Sequence, residues 1–332
     1  MRNTFVNGLG FVNAQFIEQW SSDYLALTDP ITKAKSPNLK DSIAPAMSRR
    51  MAAGVKMGIY ASLKALKEAN IERPEAIITG THHGCLIDSE KFLTALIENE
   101  EEFLTPSAFI QSTHNTVASQ IALHLQCKAY NFTYTNGYNS FENALLDGLL
   151  QIENEEIHTA LIGGVEEIGE RIYQLHQLIG EIENQQHQGE KSSEGAHFFA
   201  LANEKNENSY ATVKDVWLQN TYEESDLPTL ISDFLAKHTM ELTDSDAIIS
   251  GIKALKAMEV FQELTIVEYK HWIGEYGTAS AFGFALGCQL LKDQSLPTVF
   301  IENPIDSKVY KNVLLVNGFN GKDLSMVLLQ AV

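Results

Sequence analysis

Short apolar runs alternate with amphipathic helical patterns along this chain, and this alternation restricts the fold more than any other feature. A strand is predicted at residues 5–12 and a long helix at 46–70. Strands are then predicted at 75–80, 129–135 and 159–163, and helices at 87–99, 115–126 and 140–152. Strands that alternate with helices in this way form a parallel or mixed sheet with helices on both faces. The chain is therefore predicted to be an α/β protein.

A polar stretch, 183–194, interrupts the pattern and is predicted to be an exposed, mobile loop. A second set of elements follows: strands at 197–202, 211–218 and 247–250, a helix at 227–238, a helical or small-residue segment at 277–292, and a closing hairpin at 312–316 and 325–330. With 332 residues the chain is long enough for two α/β units. The boundary near 185–195 gives an N-terminal half, 1–185, and a C-terminal half, 195–332.

The charge of the chain excludes several classes of partner. Its 24 Lys and Arg against 43 Asp and Glu give a net charge of −19, which repels nucleic acid and anionic membranes. No stretch approaches the roughly 18 apolar residues of a membrane span, and the first residues do not resemble a signal peptide. Three widely spaced cysteines, Cys85, Cys127 and Cys288, suit a reducing compartment. A cytoplasmic protein is predicted.

Two histidines and a cysteine follow the strand that ends at Gly80. Because His82, His83 and Cys85 are sequence neighbours, their side chains rarely converge on one ion, and no second ligand cluster has the expected spacing. No metal is predicted, and the loop is interpreted as structural or pocket-lining. His114 has a side chain suited to a general base, but with no paired nucleophile nearby a buried structural role is favoured.

The segment between the strand at 129–135 and the next helix occupies the position of a nucleophile elbow. A side chain there lies over the positive end of the helix. Neither Asn136 nor Tyr138 is a ready nucleophile, and Ser140 lacks the Gly-x-Ser-x-Gly pattern. Asn136-Gly137 is a strong turn dipeptide, so the residues alone predict a turn.

These segments, taken in order, resemble the β-ketoacyl synthase branch of the thiolase superfamily. The similar stretches are PAMSRRM at 45–51, TPSAFIQSTHNTVAS at 105–119, the strand-turn-helix at 129–152, LIGGVE at 161–166, KHWIG at 270–274 and NGFNG at 317–321. The resemblance implies a thiolase-like fold, with two similar mixed-sheet halves in a layered αβαβα arrangement. It also implies that the strand at 129–135 lies in a large apolar dimer interface.

The chain departs from this family at the three positions that carry the condensation chemistry. Active members use an elbow cysteine and two histidines, whereas this chain has Asn136, Gly251 and Glu275 at or near those positions. Of the family's set only Lys270 is retained. An amide cannot form the thiolate that attacks a thioester, and a carboxylate repels the charge that develops on the enolate. No catalytic residue is therefore expected.

The resemblance, with these departures, implies a catalytically silent subunit of the chain-length-factor type. Such a subunit forms a heterodimer with an active 3-oxoacyl-acyl-carrier-protein synthase and meets the acyl carrier protein only indirectly. Polyketide-type pathways, such as those for aryl polyene or flexirubin pigments, are the expected setting, and no cofactor is expected. Residues expected to line a substrate tunnel are His83, Cys85, His114, Asn115, Asn136, Tyr138 and Phe319.

Two other interpretations stay open at this point. The chain could be an enzyme of the same class that transfers acyl groups, decarboxylates malonyl thioesters or condenses acyl units, with a rearranged site built from His83, Cys85 or His114. It could instead be a homodimeric module that binds an acyl chain or a carrier protein. Fold alone does not decide between these functions.

Overall fold

The computed structural model describes residues 2–15, 20, 22–36, 38–40, 42–49, 51–104, 106–179, 191–301 and 309–332. The strands are β1 Thr4–Val12, β2 Ile31–Thr32, β3 Ala76–Gly80, β4 Tyr130–Tyr134, β5 Thr159–Glu166, β6 Ser192–Ser193, β7 Gly195–Ala202, β8 Ala211–Thr221, β9 Ala247–Ser250, β10 Thr265–Glu268, β11 Asn312–Phe319 and β12 Lys322–Gln330. The helices are α1 Pro45–Ser48, α2 Ala53–Ala69, α3 Leu86–Glu98, α4 Pro106–Ser112, α5 Thr116–Leu125, α6 Ser140–Glu153, α7 Glu170–Leu178, α8 Leu227–Ala236, α9 Lys270–Ile273 and α10 Ser280–Asp293.

The large sheet consists of two halves with the same topology. Its strand order is β10-β9-β11-β12-β8-β1-β7-β5-β3-β4, and the antiparallel pair β1 and β8 joins the halves. Counted outward from this junction, the strands of the first half are β1, β7, β5, β3 and β4, and those of the second half are β8, β12, β11, β9 and β10. In chain order within the large sheet, these are the first, fifth, fourth, second and third strand of each half. The outer three strands of each half are parallel, and the other pairs are antiparallel. The prediction of two similar mixed-sheet halves is confirmed.

Three apolar clusters show how the layers stack. In β3, Ile77 packs in a cluster with α2 and α5, whereas its neighbour Ile78 packs in the central cluster with α6 and α10. In β9, Ile249 belongs to the central cluster and Ile248 to a third cluster with α8. Successive strand residues point to opposite faces of a sheet, so each sheet half lies between two helical layers. The predicted αβαβα layering is confirmed.

The polar stretch taken as a boundary has a different structure where it is described. Ser192 and Ser193 are buried and pair with Ile31 and Thr32, so the expectation of an exposed loop is wrong for these residues. Residues 183–190 lie outside the described residues. The strand β7 pairs with β5 and β1, which places Gly195–Ala202 with the first half, although sequence pattern began the second half at 195.

The predicted helix 46–70 is two helices, because the backbone of Ala52 is extended. The longer helix starts where the buried Glu167 carboxylate accepts hydrogen bonds from Gly54 N at 2.5 Å and from Ile87 N at 3.2 Å. Both amides lie in first helical turns, where N–H groups lack intrahelical partners. One carboxylate therefore holds the beginnings of α2 and α3 beside the end of β5.

Gly8→Ala is expected to lower the free energy of unfolding by about 3 kcal/mol, because β1 lies directly against α2. A Cβ atom at Gly8 would lie 2.2 Å from the carbonyl oxygen of Ala65. The measurement is urea unfolding, with Thr221→Ala at the exposed end of β8 as the neutral control. An unchanged midpoint for the Gly8 variant would show that the two backbones can separate at no cost.

Candidate functional site

The loops that follow the parallel strands bring the two halves of the molecule into contact. The ring of Tyr138, which follows β4, stacks on the ring of Phe319 at the end of β11, with centroids 3.8 Å apart and planes 9° apart. Asp323 reaches back across the same junction and accepts a hydrogen bond from Tyr138 N at 3.0 Å. The carboxyl ends of such strands are where α/β proteins place binding loops. The predicted candidates Tyr138 and Phe319 therefore meet.

The elbow after β4 is a tight turn, as its sequence predicts. Ser140 Oγ accepts a hydrogen bond from Asn136 N at 2.9 Å and donates one to Gly137 O at 2.7 Å. Gly137 has φ +60°, and a Cβ there would lie 2.5 Å from an Asp323 carboxylate oxygen. Asn136 itself is exposed. The turn therefore presents the exposed amide of Asn136 between β4 and α6.

Lys270 and Glu275 form a buried ion pair. Lys270 Nζ lies 2.6 Å from Glu275 Oε2, and the two side chains are only 4 % and 2 % exposed. The backbone of Glu275 is also fixed, because its N–H donates to Lys191 O at 2.7 Å and its carbonyl accepts from Ser193 N at 3.1 Å. Each group compensates the charge of the other, so removal of either would leave a buried, uncompensated charge.

The position after β9 has no room for a side chain. A Cβ atom at Gly251 would lie 2.3 Å from Asn317 Oδ1 and 2.6 Å from the Tyr269 hydroxyl. That hydroxyl donates a hydrogen bond of 3.2 Å to Asn317 Oδ1, and both groups are buried. The Tyr269–Asn317 pair thus occupies the space into which a side chain at residue 251 would project.

Sequence reasoning missed the carboxyl group of Glu142, which is completely buried in the first turn of α6. Ser325 Oγ donates to its Oε1 at 2.9 Å. Burial raises its pKa, while the hydroxyl groups of Ser280 and Ser325 and the charge of Lys270 act in the opposite direction. The spacing of residues along the helix could have indicated that Glu142 is buried, because residue 142 lies on the same helix face as Leu145 and Leu149.

The loop after β3 is organised by another buried carboxyl, that of Glu166. It accepts hydrogen bonds from Thr81 Oγ1 at 3.0 Å, from His83 N at 3.2 Å and from His82 N. Burial nevertheless raises the pKa of Glu166 to about 8. The rings of His82 and His83 stack at 3.8 Å, and burial, followed by His176 and His114, lowers the pKa of His82.

Three other predicted residues lie away from the meeting point of the halves. Cys85 is buried, and burial followed by the charges of Glu167 and Asp88 raises the pKa of its thiol well above the usual value. The expected buried role of His114 is wrong, because its side chain is exposed; its Cα would lie 3.3 Å from a Cβ atom added at Gly84. Asn115 is exposed at the start of α5, where its side chain makes no capping hydrogen bond.

A cavity of about 80 Å³ lies between the halves. Its walls include the predicted residues His83 and Tyr138 together with His82, Glu166, Tyr173, His176, Glu275 and Tyr276. Within the described residues, no three His, Cys, Asp or Glu side chains are grouped so as to hold a metal ion. No helix in the same part of the chain is long and apolar enough to cross a membrane.

Comparison with solved structures identifies proteins with the same fold. A complex of a type II PKS acyl-carrier protein with its ketosynthase bound to the hexaketide matches at TM-score 0.77 and 14 % identity, covering 100 % of both chains. The ishigamide ketosynthase/chain length factor matches at 0.75 and 16 %, covering 100 % of this chain and 99 % of the other. A ketosynthase in complex with its chain length factor from Xenorhabdus doucetiae matches at 0.71 and 12 %, covering 100 % and 98 %.

Comparison with curated protein sequences gives no match. The family model of the beta-ketoacyl synthase N-terminal domain, however, matches residues 18–189, which is more than half of the 332 residues. This range contains β3, β4 and β5 with the loops that follow them, so it includes the N-terminal side of the site. The chain belongs to the beta-ketoacyl synthase family.

Proposed function

We propose that this chain is a chain-length-factor-type subunit, which does not condense acyl units and pairs with an active 3-oxoacyl-acyl-carrier-protein synthase. The buried ion pair of Lys270 and Glu275 carries the proposal: the resemblance predicts a histidine at or near residue 275, and the carboxylate found there is paired with an ammonium group. The exposed amide of Asn136 and the filled space at Gly251 support the same conclusion. Two of the matching structures contain a chain length factor with its ketosynthase.

We expect the complex to act in a polyketide-type biosynthetic pathway, and an aryl polyene pathway is the predicted example. The acyl carrier protein is expected to reach this subunit through the ketosynthase, since the net charge of −19 disfavours direct docking of an acidic protein. The free thiols of Cys85, Cys127 and Cys288 suit the reducing cytoplasm in which we place the complex.

The pairing is tested by co-expression with the ketosynthase encoded beside this chain. Light scattering of the purified species is expected to give the mass of a one-to-one complex.

Phe132, exposed on β4 at the end of the sheet, stacks with Tyr130 and lies in the predicted interface. Phe132→Lys is expected to weaken the complex at least about tenfold. Val260→Lys, half exposed in the C-terminal half, is the control. A monomer or homodimer that ignores the ketosynthase would refute the proposal.

The alternative of an acyltransferase with a rearranged site predicts a covalent acyl group on Cys85. The burial of this thiol and its raised pKa oppose that chemistry, because the thiolate is the nucleophile. After incubation with malonyl and acetyl thioesters, intact-protein mass spectrometry is expected to show no stable adduct. An added acyl mass that Cys85→Ala removes would favour the enzyme and contradict our proposal.

A further inference from the structure

The dipeptide Asn-Gly occurs four times in this chain, beginning at Asn7, Asn136, Asn317 and Asn320. Asparagine loses its side-chain amide most readily in this sequence, because glycine has no side chain to shield its backbone nitrogen from the asparagine Cγ. The dipeptide is the same at all four positions. Differences between them in the folded chain therefore depend on burial and hydrogen bonding.

The fold protects two of the four asparagines. Asn7 is buried, its Nδ2 donates to Glu204 O at 2.9 Å, and its Oδ1 accepts a hydrogen bond from Ser209 Oγ at 2.7 Å. Asn317 is also buried, and its Oδ1 accepts a hydrogen bond from the Tyr269 hydroxyl at 3.2 Å. A reaction at either carboxamide requires local opening of the fold, which slows it.

Asn320 is exposed but lies in a constrained loop. With Gly321 it forms the two-residue loop between β11 and β12, and the two residues have φ of +49° and +72°. The residues on either side, Phe319 and Lys322, are paired across the hairpin. Because a two-residue hairpin loop fixes the dihedral angles of both of its residues, rotation of the Asn320–Gly321 peptide disrupts the pairing of the strands.

Asn136 is exposed in a turn with fewer restraints on the peptide that must rotate. In the part of the chain that the structure describes, its side-chain amide and the Gly137 N–H form no hydrogen bond. The carbonyl of the peptide that joins the two residues accepts one, from Asn139 N at 3.1 Å. Rotation that brings the Gly137 nitrogen to the Asn136 Cγ therefore breaks one backbone hydrogen bond.

We propose that Asn136 is a site of spontaneous modification, in which its carboxamide becomes a carboxylate. The Gly137 nitrogen loses its proton and attacks the Asn136 Cγ, so that a C–N bond forms. The side-chain nitrogen leaves with that proton as ammonia, and a cyclic imide remains. Water then opens the imide at either carbonyl and gives aspartate or isoaspartate. The reaction consumes only water.

Isoaspartate at this position alters the contact between the two halves of the molecule. Its main chain runs through the side-chain carbon, so the turn gains one backbone atom. The turn is tight, since a Cβ atom at Gly137 would lie 2.5 Å from the Asp323 carboxylate oxygen that accepts a hydrogen bond from Tyr138 N at 3.0 Å. The longer turn moves Tyr138 away from Asp323 and from the stacked ring of Phe319. The contact between the halves thus loosens as the protein ages.

The test is incubation of the purified full chain at pH 8 in ¹⁸O-labelled water, followed by chymotryptic digestion and tandem mass spectrometry. Hydrolysis of the imide incorporates ¹⁸O, and cleavage after Phe319 separates Asn317 from Asn320. Conversion of Asn136 is expected to be at least about tenfold faster than that of Asn7 and Asn317. In concentrated urea the four asparagines should react at similar rates, because the unfolded chain protects none of them.

Hydrogen exchange of the aged protein measures the effect on the junction. The Tyr138 amide is expected to exchange at least about tenfold faster than before incubation, because it loses its acceptor Asp323. Asn136→Gln is the matched control, since glutamine must close a larger ring and reacts far more slowly. This exposed substitution should leave the unfolding midpoint unchanged and should preserve the protection of Tyr138 during the same incubation.

Three results would overturn the proposal. Equal conversion of Asn136 and Asn317 in the folded protein would show that the turn is not a preferred site. Selective conversion of Asn136 with unchanged exchange at Tyr138 would show that the modification leaves the junction intact. A preference for Asn136 that persists in urea would show that sequence, and not the fold, selects the site. None of these measurements involves the ketosynthase, so their outcome is independent of the proposed function.

Discussion

Lys270→Met is expected to lower the free energy of unfolding by about 3–5 kcal/mol. The substitution leaves the Glu275 carboxylate, with a side chain 2 % exposed, without the ammonium group that lies 2.6 Å away. It also removes the positive charge that favours ionisation of the buried Glu142. Methionine keeps most of the volume of the lysine stem, so a cavity contributes little. Urea unfolding at pH 7, followed by far-ultraviolet circular dichroism, measures the effect.

Two further variants distinguish the buried charge from a general effect of losing a lysine. Lys91→Met removes an exposed partner of Asp88, at 3.7 Å, and should cost less than about 1 kcal/mol. Lys270→Met/Glu275→Leu replaces the whole pair by apolar groups and should recover most of the lost stability. The explanation by an uncompensated buried charge would be contradicted if Lys270→Met and Lys91→Met had the same free energy of unfolding. It would also be contradicted if the double variant were no more stable than Lys270→Met.

Glu166 is expected to make the protein less stable as the pH rises from about 4.5 to 8. Its pKa is about 8 in the folded chain against an ordinary value of 4.5, so the folded state holds a proton that the unfolded state releases. The stabilisation that the protonated Glu166 adds to the free energy of unfolding is complete below pH 4.5 and is lost as the pH rises through 8. The slope is roughly 1.4 kcal/mol per pH unit within this window. Glu142 and Glu167, whose pKa values are also raised by burial, act in the same direction.

His197 produces the opposite dependence at lower pH and provides a control. Burial lowers its pKa to about 3 from 6.5, so between these values the unfolded state binds the extra proton and stability rises with pH. Unfolding titrations from pH 4 to 8.5 should show that Glu166→Gln reduces the alkaline slope by about 1.4 kcal/mol per pH unit. His197→Phe should alter only the acidic side. An alkaline slope unaffected by Glu166→Gln would mean that Glu166 is ionised in the folded state.

Most secondary structure follows from local patterns. The predicted strand at 247–250 is the observed Ala247–Ser250, and the predicted hairpin at 312–330 is the antiparallel pair β11 and β12. The turn at Asn136-Gly137 is observed as well. By contrast, the short strand Thr265–Glu268 escaped prediction, because four residues are too few to show a period. It is stabilised by pairing with β9, from a different part of the chain.

The sequence alone predicted the turn after β4 and most helices and strands around it. Turns and the regular spacing of apolar residues depend on residues that are close together in sequence. The sequence determined the α/β class and the family resemblance, and it predicted the turn at Asn136. Only the tertiary structure decided that Glu142 is buried against Ser325, that Asn317 fills the space beside Gly251 and that β7 completes the first half. These features depend on burial and on contacts between residues far apart in sequence, which no local pattern specifies.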